Sequence, residues 1–486
     1  MQAVTTPFTK PFPPPKDKET LVRYITEAAM LEHQFMCQYL YAAFSLKKFP
    51  DDTCTPAQLE AVRRWASVIY TIARQEMEHF SIANSLLTAI GSPPWFGHTN
   101  FPTLSRWYQK EALLKKNLAA NAPEPCDFPF LLQAFDLSVA RRFCCMESPK
   151  LDDVQLQDRA NVLEWCFEPD CGCVPELPEG LKTARSFVPP PDASANAVEP
   201  GTVQELYGAI ASGLKTLNAE LGSKALFNGH QSGQSEILME YDIYLFPICN
   251  LETALAGIQL ITRQGEGIDT PPGYDSHFQN YYDMAVEYAE LLRQDERFRP
   301  SLALPLDPQL GQYSVPITRD AVAAFNDGYV AMLYMLVAYY TNFKPAAYNQ
   351  PPYLFQALQE TVFAPTMTML IRSLAEVIVQ LPADEAGGPA GPVFNLTPAV
   401  MAQLENPTDP IFLDIDFHMK NLMSVANQLE NIINNDEPPP ALLPKFQYIC
   451  ENVWRMVANL EYIYRNGTYP AFVNLAPDCT DATGCE

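Results

Sequence analysis

The sequence predicts an all-α protein. Apolar residues recur with the 3.6-residue period of an amphipathic helix, whereas the alternation typical of strands is weak. Proline accounts for 44 of the 486 residues, which exceeds its ordinary share of about 5%, and its clusters mark the joints between helices. Neither a glycine-rich phosphate loop nor an internal repeat stands out, so no nucleotide-binding loop or repeat architecture is predicted.

The first two predicted helices are long and well delimited. Helix one covers about residues 18–48. Helix two begins at a capping box, in which Thr55 precedes Pro56 and Gln58 lies three residues after Thr55. It ends at Gly91, because a helix C-terminus favours a residue that tolerates positive φ.

Later helices extend the all-α pattern towards the C-terminus. They are predicted at about residues 201–221, 250–265, 275–297, 317–342, 354–381, 411–435 and 444–466. We expect four parts: a proline-rich arm at 1–17, a metal-binding helical bundle at 18–300 with an insertion at 92–200, a helical portion at 301–470, and a tail at 471–486.

Charge and composition exclude some classes of partner. A net charge of −25 disfavours nucleic acid and anionic membranes, because the long-range field repels phosphate. The apolar run at 330–340 is too short to span a bilayer, and the N-terminal segment lacks the apolar core of a signal peptide, so a cytoplasmic protein is expected. The twelve cysteines contain no CxxC motif, which favours structural or incidental roles for them.

Charged residues interrupt the apolar stripes of the first two helices. Glu32 lies in the stripe of helix one, and Glu76 and His79 lie in the stripe of helix two. A buried ionised carboxylate must pair with a cationic side chain, share a proton or bind a metal. The basic residues of these helices lie near the ends or on the opposite face, so a metal is the most economical partner; a buried Glu–His hydrogen bond without metal is the alternative.

Three further residues are candidate ligands. Glu205 opens the third helix, although a capping box with Thr202 also explains it. Glu266 ends the fourth helix between two glycines, and His277 follows 11 residues later, beyond a proline pair. Together the six residues supply four carboxylates and two imidazoles, which is the ligand count of a carboxylate-bridged di-iron site.

The remaining histidines and two neighbouring acids are expected to lie outside the site. From their angular positions on the helices, Glu27 and Glu78 are predicted to face water. His33 is predicted to be exposed, and the other histidines to lie in loops or on the surface: His98, His230 and His418.

Five stretches of the chain carry a family resemblance. They are LVRYITEAAMLEHQFMCQYLYAAFSLKK, IARQEMEHFSIANSLLTAIGSPPW, GTVQELYGAI, TRQGEG followed by SHF, and AGGPAGPVFNL, between about residues 20 and 395. They resemble the ferritin-like domain of the iminophenyl-pyruvate dimer synthases, the violacein- and rebeccamycin-pathway enzymes that join two tryptophan-derived imines. The resemblance implies a ferritin-like four-helix bundle with long insertions and additional C-terminal helices.

The same resemblance implies which residues form the site. It assigns candidate metal-binding roles to Glu32, Glu76, His79, Glu205, Glu266 and His277, and it draws attention to Glu147 in CCMESP. The fourth helix lacks the ExxH motif of bacterioferritin-like proteins, and the long extra region of the full-size pathway enzymes is missing. A stand-alone member whose substrate is unassigned is therefore expected. The pathway enzymes have been connected with haem, which leaves the cofactor open.

The expected function is oxidative chemistry in specialised metabolism. A metal-dependent oxidoreductase would use O₂ on a small, electron-rich, amino-acid-derived substrate, with oxidative coupling of imines as one form of the reaction. Iron is the expected cofactor; a di-iron centre is favoured, and a single metal or haem stays open. An upstream amino-acid oxidase is a candidate partner. The alternatives are a ferroxidase or iron-handling protein, and a metal-free helical binding protein.

Overall fold

The computed structural model describes residues 12–104, 129–149, 165, 202–229, 238–240, 243–267, 275–341 and 363–466. Within these ranges the fold is almost entirely helical, so the all-α prediction is confirmed. The α-helices are α1 (Lys18–Ser45), α2 (Pro56–Ala89), α3 (Leu137–Glu147), α4 (Val203–Leu221), α5 (Ser223–Leu226), α6 (Leu251–Glu266), α7 (His277–Gln294), α8 (Pro316–Thr341), α9 (Ser373–Ile378), α10 (Pro398–Leu404), α11 (Ile415–Asn435) and α12 (Leu443–Asn466).

Short non-α elements connect some of these helices. A π-helical turn (Thr366–Arg372) precedes α9, and a 3₁₀ turn (Pro410–Leu413) precedes α11. Strand β1 (Thr103–Leu104) pairs antiparallel with β2 (Pro129–Phe130), with Thr103 opposite Phe130. Strand β3 (Leu238–Glu240) pairs antiparallel with β4 (Ile243–Leu245), and β4 packs on α2.

The two long helices α1 and α2 pack against each other and form half of the bundle. The side chain of Asp17 caps α1 by accepting a hydrogen bond from the Thr20 backbone N–H. The capping box predicted for α2 is present, with reciprocal bonds between Thr55 and Gln58. Gly91 follows α2 with φ of +78°, a conformation that favours glycine.

Four shorter helices, in two pairs, complete the bundle opposite α1 and α2. Helix α4 packs on α6 and on α1, and α3 packs on α7. The ends of these helices meet: the backbone N–H of Gln204, near the start of α4, donates to Glu266 at the end of α6. An added Cβ on Gly265 would lie 3.5 Å from Oε2 of Glu147, the last residue of α3. The end of α6 therefore lies beside the start of α4 and close to the end of α3.

The C-terminal helices pack around α8. Helix α8 contacts α11, and α11 contacts α12 over an extensive face. In the part of the chain that the structure describes, α8 is the one helix long and apolar enough to cross a membrane, with a mean hydropathy of 1.4 over its most apolar window. That window is 83% buried inside the fold, as expected of a core helix. The predicted domain limits at 300 and 470 remain predictions.

Candidate metal centre

Glu32, Glu76 and His79 form the first of two buried ligand groups. Their ligand atoms all lie within 4.8 Å of one another. Nδ1 of His79 lies 3.3 Å from Oε2 of Glu76 and 3.7 Å from Oε2 of Glu32. These three side chains come from the inward faces of α1 and α2, on which the sequence pattern placed them.

Glu76 also belongs to a second group, with Glu147 and His277. Nδ1 of His277 lies 2.9 Å from Oε1 of Glu76 and 3.7 Å from Oε1 of Glu147. The rings of His79 and His277 are stacked, with centroids 5.4 Å apart. Two groups that share one carboxylate have the arrangement of a two-metal site with a bridging glutamate.

The orientation of His79 is fixed by a chain of buried side chains. Nε2 of His79 lies 2.8 Å from Oε1 of Gln264, and Nε2 of Gln264 donates to Oε2 of Glu78 at 3.0 Å. Because a carboxylate only accepts, the Gln264 amide must turn its NH₂ group towards Glu78 and its oxygen towards His79. His79 therefore carries a proton on Nε2, and Nδ1 is the nitrogen that faces the carboxylates and is available to a metal.

A similar set of contacts holds the other ligands. Nε2 of His277 lies 3.0 Å from Oε1 of Gln75, which again directs Nδ1 inward. The Tyr207 hydroxyl donates to Oε1 of Glu32 at 2.7 Å, and the Tyr39 hydroxyl donates to Oε1 of Glu147. Outer hydrogen bonds of this kind orient ligands and tune their basicity.

The electrostatics of the cluster follow from burial and close opposite charges. Burial raises the pKa of Glu32 to about 7. Burial and the Glu147 carboxylate act to raise the pKa of Glu76, but contacts with His79 and His277 lower it below its usual value. Burial opposes protonation of His277, yet hydrogen bonds to Glu147 and Glu76 raise its pKa to about 9. Without metal, the site is therefore a set of imidazolium–carboxylate pairs.

These residues fit a metal. Oε2 of Glu76 is buried and has no well-directed hydrogen bond among the described residues. Within the same ranges, the ion pairs formed by Glu32, Glu76 and Glu147 are all with histidine. Two inward-facing Nδ1 atoms with three carboxylates form a nitrogen and oxygen donor set suited to iron or a similar divalent ion. A cation would replace the two Nδ1 protons.

Glu205 and Glu266 lie at helix ends beside the cluster, outside both ligand groups. The backbone N–H of Glu205 donates to the Thr202 side chain at 3.1 Å, which is the predicted capping contact. Oε1 of Glu266 accepts the Gln204 N–H at 2.9 Å. The carboxylate of Glu147 stands in the ligand groups instead. Reasoning from periodicity missed Glu147, and its one signal was the family resemblance of CCMESP.

Several polar residues predicted to lie outside the core are buried, so those predictions are wrong. Glu27 and Glu78 are 3% and 1% exposed, and Glu78 accepts hydrogen bonds from the Tyr244 backbone and from Gln264. His33 and His418 are also buried, both within helices. His98 lies in a loop, as predicted, but it is buried as well. His230 lies outside the described residues. Strand β4 and helix α6 cover the side of α2 that the angular argument assigned to water.

The fold and the site together define a class of protein: a helical bundle with a carboxylate–histidine cluster between its helices. A family model described as Ferritin-like matches residues 25–286, more than half of the chain. The chain therefore belongs to the ferritin-like family, and the ferritin-like fold predicted from the motifs is confirmed.

The relatives agree with the resemblance read from the motifs. The chain is 25% identical over 429 residues to a dichlorochromopyrrolate synthase of Lentzea aerocolonigenes, covering 79% of this chain and 36% of that protein. It is 25% identical over 415 residues to a 2-imino-3-(indol-3-yl)propanoate dimerase of Chromobacterium violaceum, covering 78% and 35%. The chain thus spans about a third of the length of these relatives.

A solved structure is also similar. A ferritin-like protein from Caulobacter vibrioides matches with 17% identity and a TM-score of 0.37, covering 64% of this chain and 85% of that one.

Proposed function

We propose that the chain is a metal-dependent oxidoreductase that uses O₂ on a small, electron-rich substrate derived from an aromatic amino acid. The observation that carries the proposal is the pair of ligand groups that share Glu76, with both Nδ1 atoms held inward. Iron is the proposed metal, and two ions are favoured because each group supplies two carboxylates and one imidazole. When bound, iron would supply the redox chemistry with O₂.

The chain's own residues hold the site in a defined protonation state. Gln264 and Gln75 keep protons on the outer nitrogens of His79 and His277, which leaves the inner nitrogens free to ligate. Tyr207 and Tyr39 each hold one ligand carboxylate by donating a hydrogen bond. Because the ligand side chains are nearly inaccessible to solvent, the site excludes bulk water, and electrostatic interactions within it are strong.

The relatives suggest the substrate class. The names of the two matched proteins describe a synthase of a chlorinated chromopyrrolate and a dimerase of an indolyl imino acid. We therefore propose oxidative coupling of imines derived from aromatic amino acids. Joining two such molecules forms one C–C bond and removes two electrons and two protons, which O₂ accepts to give hydrogen peroxide. An amino-acid oxidase acting earlier would supply the imine.

The proposal is tested with full-length protein freed of metal and reloaded with Fe²⁺ without oxygen. The probe is the imine formed from indole-3-pyruvate and ammonium. We expect about two irons per chain by elemental analysis, O₂ uptake that requires the probe, and a coupled product by mass spectrometry. Glu76→Gln should lose iron and O₂ uptake together, while Glu60→Gln, an exposed change on the same helix, should retain both.

Two other results would favour the alternatives. A ferroxidase or iron-handling protein is indicated if O₂ uptake is proportional to the Fe²⁺ oxidised and does not depend on the imine probe. A protein that binds no iron in either the parent or the Glu60→Gln form would indicate a metal-free scaffold, in which the imidazolium–carboxylate pairs serve the fold. Either result would reject the proposed oxidoreductase.

A further inference from the structure

A second buried group of metal-ligating side chains lies outside the carboxylate cluster. His33 and Cys37 are one turn apart on α1, and His98 follows α2 in a non-helical segment. One ligand atom from each residue lies within 4.8 Å of the other two, and all three residues are at most 1% exposed. The group contains sulfur and nitrogen donors and no carboxylate, unlike the first centre.

A tyrosine hydroxyl from α8 meets this group. The hydroxyl oxygen of Tyr329 lies 2.6 Å from Nε2 of His33, 3.0 Å from Nε2 of His98 and 3.8 Å from Sγ of Cys37. Four donor atoms thus come from α1, the segment after α2, and α8. A tetrahedron with bonds of about 2.0–2.3 Å has edges of roughly 3.3–3.8 Å. The Tyr329–Cys37 spacing has this length, whereas the two Tyr329–His spacings are hydrogen-bond lengths that would have to widen around a metal.

Hydrogen bonding alone leaves this group incompletely paired. Nδ1 of His98 lies 2.8 Å from the Thr99 carbonyl oxygen and donates to it, so its Nε2 presents a lone pair to Tyr329. The hydroxyl has one proton and can donate it to only one of the two histidines. If it donates to His98, His33 must donate from Nε2, and its buried Nδ1 is left as an acceptor without a hydrogen-bond partner among the described residues. If it donates to His33, the Nε2 lone pair of His98 loses its donor.

A cation removes this conflict. Nδ1 of His33 is directed towards the Phe96 backbone, although it does not reach good hydrogen-bond geometry. With the proton on that nitrogen, both Nε2 atoms present lone pairs to the same centre, and each outer nitrogen faces a backbone acceptor. This is the arrangement in which an outer hydrogen bond sets the tautomer of a ligating histidine.

We propose that His33, Cys37 and His98 form a second metal site, specific for a borderline divalent ion of the Zn²⁺ type, with the Tyr329 oxygen in the fourth position. Two imidazoles and one thiolate are ligands that Zn²⁺ accepts in tetrahedral geometry, whereas Mg²⁺ and Ca²⁺ require oxygen. On binding, the Cys37 thiol loses its proton to solvent and the sulfur becomes bound to the metal.

Cobalt is the probe that separates this site from the carboxylate centre. Co²⁺ bound to a thiolate gives an intense near-ultraviolet charge-transfer band, and the carboxylate centre contains no sulfur. We expect metal-free full-length protein to develop this band on addition of Co²⁺ and to lose it when Zn²⁺ is added. Glu76→Gln should leave the band intact while removing metal from the first centre.

The variants assign the band to the three ligands. Cys37→Ser and His98→Gln should each abolish the band and lower Zn²⁺ affinity at this site at least 100-fold, with helical circular dichroism retained. Cys450→Ser, which changes another buried free cysteine on α12, should keep both. If one of the two ligand variants does not fold, the charge-transfer band of the other variant tests the assignment. Absence of the band in the parent protein, or its persistence in a folded ligand variant, would overturn the proposal.

Discussion

Glu78→Gln is the most informative single change at the carboxylate centre, because Glu78 lies outside both ligand groups. The Glu78 carboxylate accepts from two donors, the Tyr244 backbone N–H and the Gln264 side chain. A glutamine at position 78 has one oxygen, so its NH₂ group must face one of these donors. If Gln264 turns over to relieve that clash, its NH₂ group meets His79, and the proton of His79 moves to Nδ1, the atom that faces the metal.

The size of the effect follows from what is lost. The change removes no ligand, so binding should weaken and not disappear. Loss of an outer partner of a ligating histidine typically costs 10- to 100-fold in metal affinity, or about 1.4–2.7 kcal/mol. Stability of the metal-free fold should fall by about 1–3 kcal/mol, because one buried donor is left poorly paired.

The assay is anaerobic titration of metal-free protein with Fe²⁺ against a competing chelator. Glu60→Gln on the same helix is the control, since Glu60 is exposed and should bind iron as the parent does. Unfolding in urea measures the stability change separately. If Glu78→Gln folds normally and its iron affinity stays within threefold of the parent, the hydrogen-bond chain from Glu78 through Gln264 does not set the tautomer of His79.

Four further changes test two ligands, a partly buried acid and a helix cap. Glu76→Ala and His79→Ala should each abolish iron binding with the bundle still folded, measured by elemental analysis and circular dichroism, because each removes a ligand of the same buried groups; full iron content in both would count against the centre. Burial raises the pKa of Asp307 to about 7, so its contribution to stability is present below about pH 4 and lost as pH rises through 7. Asp307→Asn should therefore raise stability by a few kcal/mol at pH 8 and little at pH 4, and equal urea midpoints for both proteins at pH 8 would contradict this. Thr55→Ala should lower stability by about 1 kcal/mol, because it removes the capping box of α2; an unchanged urea midpoint would show that the cap is dispensable.

The sequence predicted the candidate ligands on α1 and α2 well, because these helices are long and regular. Over 28 and 34 residues, the apolar stripe has a clear phase, and Glu32, Glu76 and His79 interrupt it. Glu147 could not be found in this way. It ends an 11-residue helix, which is too short for a stripe to stand out.

The errors at Glu78 and His33 have a common physical origin. Periodicity identifies the face of a helix that packs on its first neighbour, but it does not reveal what covers the other faces. Glu78 is covered by β4 and by Gln264 of α6, and His33 is covered by Tyr329 of α8. The residues that cover Glu78 and His33 lie more than 160 positions away in the chain, so the local sequence pattern contains no information about them.

Glu266 needs a source of positive potential, as the sequence predicted, and the structure shows a source other than a metal ion. A carboxylate at a helix C-terminus is unfavourable by about 0.3–1 kcal/mol against the negative end of the helix dipole, which made a metal ion the expected compensation. The structure provides another source of positive potential, since the N-terminus of α4 faces Glu266 and donates the Gln204 N–H to it. A helix N-terminus carries roughly half a positive charge, so the start of α4 offsets part of the negative charge of Glu266. A metal-binding role for Glu266 stays a prediction. Among the described residues, Glu147 and His277, at the other pair of helix ends, have no such contact and stand with Glu76 in a ligand group.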